Sequence, residues 1–220
     1  MPPRAPCRRI RPWTLLLCAF ALPSAAAPEP LDAGWVLQAV ARPAPSRTAF
    51  VELRQSAMLK QPLRLQGEYR SEPGGRLVRE VTAPYAETTT LADGQAVIVR
   101  GNRAPRTISL QQVPELAAVQ AGFGALLSGD RALLERTYTV DASGARERWT
   151  LRLVPRDPRL AAALQRIDLH GRGAELRCVE SVPAKGEAQR TLMAGAAAAA
   201  VGVDDPAALA ALCHGDRGTP

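Results

Sequence analysis

The spacing of apolar and polar residues changes along the chain from a helical repeat to a strand repeat. Over residues 31–42 the apolar side chains recur at helical spacing, and Pro43 ends the pattern. From residue 47 onward apolar and polar side chains mostly alternate, which is typical of half-buried β-strands. The pattern therefore predicts one opening helix followed by a long run of strands.

The alternating segments are short and are separated by turn residues. Asp93-Gly94 is the clearest hairpin signal, and another turn is predicted at Ser143-Gly144. Strands are predicted over residues 47–59, 62–71, 76–82, 85–91, 95–100, 106–110, 135–141, 146–154, 165–170, 174–182 and 188–193.

Helical spacing returns in a few places. A central helix is predicted from Pro114 to the Ser128-Gly129-Asp130 stop, and its Gly122 and Gly124 each weaken it by about 1 kcal/mol relative to alanine. A short helical turn follows Asp157-Pro158, and a last helix over residues 207–213 follows Asp205-Pro206. The alanine run at 196–200 is interpreted as a loose linker or a frayed helix.

About ten or eleven strands joined by short turns predict an α+β protein with one strongly curved antiparallel sheet. Arginines alternate with apolar residues along several strands, so we expect a solvated convex face. The concave apolar face then needs a cover, which the helices supply.

The first 26 residues have the pattern of a secretory signal peptide. A basic segment without acidic residues precedes about ten apolar residues, and Ser24-Ala25-Ala26 ends the segment. Cleavage after Ala26 is predicted, in preference to an uncleaved membrane anchor or a lipid attached at Cys18. We therefore expect a soluble periplasmic chain, with one domain over residues 27–213 and a disordered tail over 214–220.

Charge and cysteines refine this picture. Four of the 28 basic residues lie in the predicted signal, which leaves 24 against 21 acidic residues and a charge of +3. The scattered arginines favour solvated faces over a nucleic-acid-binding patch. Cys178 and Cys213 are the even pair left in an exported chain, and a disulfide between them is predicted.

No catalytic motif is present in the sequence. Nucleophile-elbow, CxxC, SxxK, phosphate-loop and HExxH patterns are all missing, so an enzyme, a cofactor and a metal site are not expected. His170 is interpreted as a turn residue, and a Cys213–His214 nucleophile pair is conceivable but less favoured than the disulfide. Ion pairing with nearby arginines is the favoured interpretation of four strand glutamates, Glu52, Glu68, Glu80 and Glu87.

The order of several short motifs resembles a known family. The segment Phe50-Val51-Glu52-Leu53-Arg54 follows the opening helix, and Gly67-Glu68-Tyr69 leads into a proline-containing turn. The sequences Leu126-Leu127-Ser128-Gly129-Asp130 and Trp149-Thr150-Leu151-Arg152-Leu153 follow in turn. Together they resemble the outer-membrane lipoprotein carrier family, LolA, and most closely its LolA-related branch, over roughly residues 31–193.

The resemblance implies an unclosed antiparallel β-barrel with a helical lid over an apolar cavity for acyl chains. It also implies a monomeric carrier that moves lipid or lipoprotein cargo from an inner-membrane exporter to an outer-membrane acceptor. One departure is Glu72 before Pro73, where the carriers have an arginine that helps to hold the lid. The chain also has few aromatic residues, and its cargo is expected to be a lipoprotein, a glycolipid or a polyene-type lipid.

The cavity is expected to form between the concave face and the central helix. Its predicted lining is Leu65, Leu77, Val97, Val99, Ile108, Leu116, Val119, Phe123, Trp149, Leu151 and Leu153. Two other functions stay open: a periplasmic stress sensor of the same fold, which usually has a further C-terminal domain, and, less favoured, a periplasmic hydrolase.

Overall fold

The computed structural model describes residues 31–54, 62–113 and 122–215. The predicted signal peptide, the lid residues Leu116 and Val119, and the end of the tail lie outside these ranges. Within them, no helix is long and apolar enough to cross a membrane.

All eleven strands of the described chain form one antiparallel sheet. Their order across the sheet is β6-β5-β4-β3-β2-β1-β11-β10-β9-β8-β7, so β6 and β7 are its two free edges. The strands are β1 Ser46–Arg54, β2 Leu63–Glu72, β3 Arg76–Ala83, β4 Glu87–Ala92, β5 Gln95–Arg100, β6 Arg106–Ser109, β7 Tyr138–Ala145, β8 Arg148–Pro155, β9 Leu164–Arg172, β10 Glu175–Pro183 and β11 Gln189–Met193. The prediction of an unclosed, curved antiparallel sheet is confirmed.

Short turns set the register of neighbouring strands. Asp93 and Gly94 both have positive φ, at 51° and 70°, which is the backbone that a two-residue hairpin between β4 and β5 needs. The register there pairs Leu91 with Ala96, and it therefore decides which side chains of β5 face the inside of the curve.

Six α-helices accompany the sheet in the described ranges. They are α1 Ala33–Val40, α2 described over residues 122–128, α3 Arg131–Thr137, α4 Pro158–Ala161, α5 Ala194–Ala199 and α6 Pro206–His214. Side chains cap α1, α3 and α6, because Asp32, Asp130 and Asp205 each accept a hydrogen bond from a backbone N–H in the first turn.

The structure corrects two local predictions. Residues 135–137 belong to α3 and not to a strand, because Asp130 caps a helix that the Arg131–Glu135 ion pair also supports. The turn predicted at Ser143-Gly144 lies three residues later, at Arg146-Glu147. Gly144 pairs with Trp149 inside the β7–β8 ladder at φ 99°, where a side chain would overlap the Arg148 carbonyl oxygen.

The helices cover both faces of the sheet. On the concave face, α1, α2 and α3 pack over β7, β8 and β9, burying Leu37, Leu126, Leu134 and Trp149 in one cluster. On the convex face, α5 and α6 pack over β1 and β11 through small and aliphatic residues, Val51, Leu192, Ala196, Ala197, Ala200, Leu209 and Leu212.

This second layer corrects the expectation that the convex face is only solvated. Alanines 196, 197 and 200 are almost fully buried, so the alanine run is a docked helix and not a loose linker. The predicted Cys178–Cys213 disulfide joins β10 to α6 on this face. His214 is the last residue of α6, so the predicted tail does not begin there.

Candidate functional site: an apolar cavity under a short helix

A cavity of about 250 Å³ lies between the concave face of the sheet and α2. Alternation along the strands brings to it only those side chains that point inward. Its lining is Glu52, Arg54, Tyr69, Leu77, Arg79, Thr89, Leu91, Gly122, Phe123, Leu126, Tyr138, Leu153, Ile167, Leu169, Val179, Ser181, Gln189 and Thr191. Apolar atoms form most of its surface.

Aromatic rings form the wall where α2 meets β2. The Tyr69 ring lies between Phe50 and Phe123, with ring centroids 4.9 and 5.5 Å apart. Phe123 is only partly buried, although it is the largest apolar side chain that α2 places on the cavity in the described residues. α2 therefore covers the cavity through a stacked aromatic contact that motion of the helix would break.

A buried ion pair interrupts the apolar wall on β1 and β3. Glu52 is 4% exposed, and its carboxylate accepts hydrogen bonds from Arg79 at 2.7 Å and from Arg54 at 2.6 Å. The Arg79 guanidinium also stacks on Phe50, 4.7 Å from the ring centroid. Two arginines and one carboxylate leave this part of the wall with one positive charge.

Two tyrosines of the cavity have raised pKa values. Burial raises the pKa of Tyr69, and the nearby Arg79 partly opposes this effect. Burial alone raises the pKa of Tyr138 to about 12. The Tyr138 hydroxyl has no hydrogen-bond partner among the described residues, so it is a buried polar group directed at a largely apolar space.

The sequence of nearly the whole described chain matches one protein family. The model of the outer membrane lipoprotein carrier protein LolA-like family matches residues 25–216. The chain belongs to this LolA-like family. Its members are binding and carrier proteins and not enzymes.

Two solved structures are similar to this LolA-like chain. One is a LolA superfamily protein from Nitrosomonas europaea, 15% identical, covering 74% of this chain and 76% of the other, with a TM-score of 0.38. The other is the MucA/MucB complex of Pseudomonas aeruginosa, 16% identical, covering 74% of this chain and 56% of that chain, with a TM-score of 0.38. No curated protein sequence matches the chain significantly.

The cavity of this LolA-like chain includes only part of the predicted lining. Leu77, Phe123 and Leu153 line it. Four other predicted residues point to the same face but lie in packed clusters beside the cavity, namely Leu65, Ile108, Trp149 and Leu151. Leu116 and Val119 lie outside the described residues.

Val97 and Val99 are wrongly placed by the sequence prediction. Ala96 pairs with Leu91, which lines the cavity, so Val97 and Val99 point to the opposite face of β5. Val99 is 37% exposed. The run from Ala96 to Val99 is apolar at every position, so its pattern does not distinguish the two faces.

The polar residues of the wall were not predicted as part of the site. The prediction that Glu52, Glu68, Glu80 and Glu87 form ion pairs with arginines is confirmed. Glu52 and Arg54 stand two residues apart on β1, and this spacing could have placed both on the face of Phe50. His170 lies within β9 and not in a turn.

Proposed function

We propose that this protein binds an acyl chain of a lipid or lipoprotein cargo in the cavity beneath α2. The apolar wall that α2 covers is the observation that supports this proposal. The lining offers aliphatic side chains from both halves of the sheet and only one charged patch. Such a space suits a hydrocarbon chain with a polar end and has no arrangement for bond cleavage among the described residues.

The free energy of such binding comes from removing the chain from water. Each buried CH₂ group contributes about 0.8 kcal/mol. The volume of about 250 Å³ is slightly below the roughly 300–1,000 Å³ of ligand pockets, so one chain of moderate length fits before any opening of α2. A longer chain requires α2 to move outward.

A carrier must also release its cargo. The described part of α2 contains Gly122 and Gly124, which lower its intrinsic stability by about 1 kcal/mol each. Part of the binding energy is then offset by displacing the helix, which keeps the cargo exchangeable. The patch of Glu52, Arg54 and Arg79 lies where the polar end of a lipoprotein, glycolipid or polyene-type lipid would meet the wall.

The setting of this function is the periplasm. The signal-like first 26 residues and membership of the LolA-like family support export, followed by transfer from an inner-membrane exporter to an outer-membrane acceptor. Soluble transfer of this kind requires only a monomer.

A fluorescent fatty-acid analogue tests the cavity. The wild-type protein is expected to bind the probe, and Phe123→Asp is expected to weaken binding at least tenfold because it places a carboxylate against the chain. Val99→Asp is the matched control, since it adds the same charge on the opposite face. Absence of binding by wild type, or equal weakening by both folded variants, would contradict the proposal.

Native mass spectrometry of protein from a periplasmic extract separates the proposal from the alternatives. A co-purifying lipid that is lost in Phe123→Asp supports the carrier. A stoichiometric protein partner, with no lipid, supports the stress-sensor function instead.

A further inference from the structure

Three metal-ligating side chains converge on the convex face, away from the cavity. Val179 lines the cavity, so its neighbour Glu180 points to the convex face, as does His170, which pairs with Cys178. His214 is brought to the same place by α6, which Cys213 ties to β10. His170 lies 10 positions before Glu180, and His214 lies 34 positions after it. No local sequence motif therefore marks the three residues as a group.

The two imidazoles meet one oxygen of the carboxylate. The Nε2 atom of His214 lies 3.0 Å from Oε2 of Glu180, and the Nε2 atom of His170 lies 3.4 Å from the same oxygen. The centroids of the two rings are 5.0 Å apart in an edge-on arrangement. Both rings therefore direct their outer nitrogens at one small volume.

The two nitrogen–oxygen distances are close to those between neighbouring ligand atoms of a zinc site. Zinc bonds of about 2.0–2.2 Å in a tetrahedron place neighbouring ligand atoms about 3.3 Å apart. Two histidines and one carboxylate are a ligand set that zinc uses when a fourth position is left open. We propose that His170, Glu180 and His214 bind one Zn²⁺ ion on the convex face.

Cys213 lies beside the cluster but is not a ligand in this proposal. All candidate ligand atoms, its sulfur included, lie within 4.8 Å of one another. The sulfur is bonded to Cys178 and so cannot act as a thiolate. The disulfide instead fixes the position of the adjacent His214.

Neighbouring polar groups are arranged to orient the ligands. Oγ1 of Thr150 lies 3.1 Å from Nδ1 of His170. When Nε2 binds the metal, Nδ1 carries the proton and donates a hydrogen bond to this hydroxyl, which fixes the tautomer. Arg190 pairs with Oε1 of Glu180, so Oε2 remains directed at the histidines.

The fourth position opens into a surface cavity of about 280 Å³. His170 and His214 line it, together with Arg148, Arg172 and Arg177. This positive surrounding disfavours a bare dication and favours an anionic fourth ligand, such as hydroxide or chloride. The bound ion would link α6 to β9 and β10 beside the disulfide, so its effect is on the docking of α6 and not on the cavity beneath α2.

Calorimetric titration with ZnCl₂ tests the site. The protein is purified from a periplasmic extract without a polyhistidine tag and with its disulfide intact, so that no tag histidine and no thiol of Cys178 or Cys213 competes for zinc. One equivalent of Zn²⁺ is expected to bind, and His170→Gln and His214→Gln are each expected to weaken binding at least tenfold. Asp204→Asn is the control, because this side chain is 78% exposed and pairs with Arg64 instead.

His214→Gln is decisive if His170→Gln fails to fold, because the His214 side chain is 38% exposed at the end of a helix. X-ray absorption should show a four-coordinate zinc with two imidazole ligands in the wild type. Wild type that takes up no zinc, or that binds it no better than a folded His214→Gln variant, overturns the proposal and leaves a hydrogen-bonded cluster. Neither outcome changes the expected binding of the fatty-acid probe in the cavity beneath α2. The zinc-site proposal and the carrier proposal can therefore fail independently of each other.

Discussion

At the scale of single residues, the Tyr138 hydroxyl offers a direct test of the cavity wall. It is buried, lines the cavity and has no partner among the described residues. We expect Tyr138→Phe to raise the free energy of unfolding by about 1 kcal/mol, since a buried unsatisfied polar group costs about 1–3 kcal/mol. Urea unfolding measures this, and Tyr85→Phe is a control whose hydroxyl is hydrogen-bonded by Arg100. A loss of stability in Tyr138→Phe would show that the hydroxyl has a partner.

The same residue predicts a change of stability at high pH. Burial raises the pKa of Tyr138 from 10.0 to about 12, so the folded state holds the phenolic proton more tightly than the unfolded state. The free energy of unfolding is therefore unaffected by this group below pH 10. It decreases as the pH rises toward 12, because the tyrosine ionises more readily in the unfolded state. The expected result is a decrease of wild-type stability in this range that is smaller in Tyr138→Phe. Equal decreases in the two proteins would contradict the assignment.

A second residue-scale prediction concerns the packing of Trp149. The Trp149 ring lies on Gly171 of the neighbouring strand, where a methyl group would overlap it, and its indole N–H donates to the Gly173 carbonyl at 2.9 Å. Gly171→Ala is expected to cost about 1–3 kcal/mol, as overpacking of a rigid core does. Urea unfolding and the tryptophan emission maximum report the change. An unperturbed emission spectrum with unchanged stability would contradict it.

At the scale of elements, the glycines of α2 link stability to release. Gly124 is exposed and has no atom near the position of an added methyl group, so Gly124→Ala is expected to stabilise α2 by about 1 kcal/mol. The fluorescent probe is then expected to dissociate more slowly. The rate falls by about fivefold if all of the added helix stability opposes the opening of α2. Ala198→Gly, at an exposed position of α5 on the convex face, should lower stability without changing dissociation. Unchanged dissociation in Gly124→Ala would show that α2 does not limit release.

The disulfide acts on another element, α6. The bond closes a loop of 35 residues, and removing it through Cys178→Ser with Cys213→Ser is expected to cost about 3–4 kcal/mol. The loss falls below this value if Leu209 and Leu212 hold α6 on the sheet by themselves. Urea unfolding measures the loss, with a Val201→Ala control at a position 77% exposed. Stability equal to wild type would show that apolar packing alone docks α6.

The elements were predictable from the sequence to different degrees. Strands with one apolar and one polar face, such as β8, have a clear period of two and were found within about two residues. The helix α3 was missed because residues 135–141 also alternate, and its N-cap Asp130 was taken as the end of the preceding helix. The alanines of α5 form a docked helix because they pack on the sheet. A run of alanines has no apolar periodicity, so the sequence did not predict this packing.

The site was less predictable than the fold for a related reason. Apolar runs such as Ala96–Val99 lack alternation, so only the register with β4 decides which side faces the cavity. Charged residues inside the curve, such as Glu52 and Arg79, appear in the sequence as ordinary surface pairs. The cluster of His170, Glu180 and His214 depends on pairing across β9 and β10 and on the docking of α6, which sequence spacing does not contain.

At the scale of the whole molecule, one ladder joins the two halves of the sheet. Strands β2 to β6 extend from one side of β1, and β7 to β10 extend from the other side of β11, so the β1–β11 pairing connects them at the centre. The cavity separates the apolar cluster under α1 from the smaller clusters near β2 to β5. Cooperative unfolding therefore depends on this ladder and on the helices that cross it.

Leu192 is the residue that tests this dependence. It is fully buried, pairs with Val51 and Cys178, and packs under α5 and α6. Leu192→Ala is expected to cost about 2–5 kcal/mol while unfolding remains one transition. Trp35 and Trp149 report the cluster under α1, whereas far-UV circular dichroism reports the whole sheet, so the two urea curves should coincide in wild type and variant. If the tryptophan and dichroism curves separate in Leu192→Ala, the two halves of the sheet unfold independently once the β1–β11 ladder is weakened. That result would contradict the expectation that the sheet unfolds in one cooperative transition.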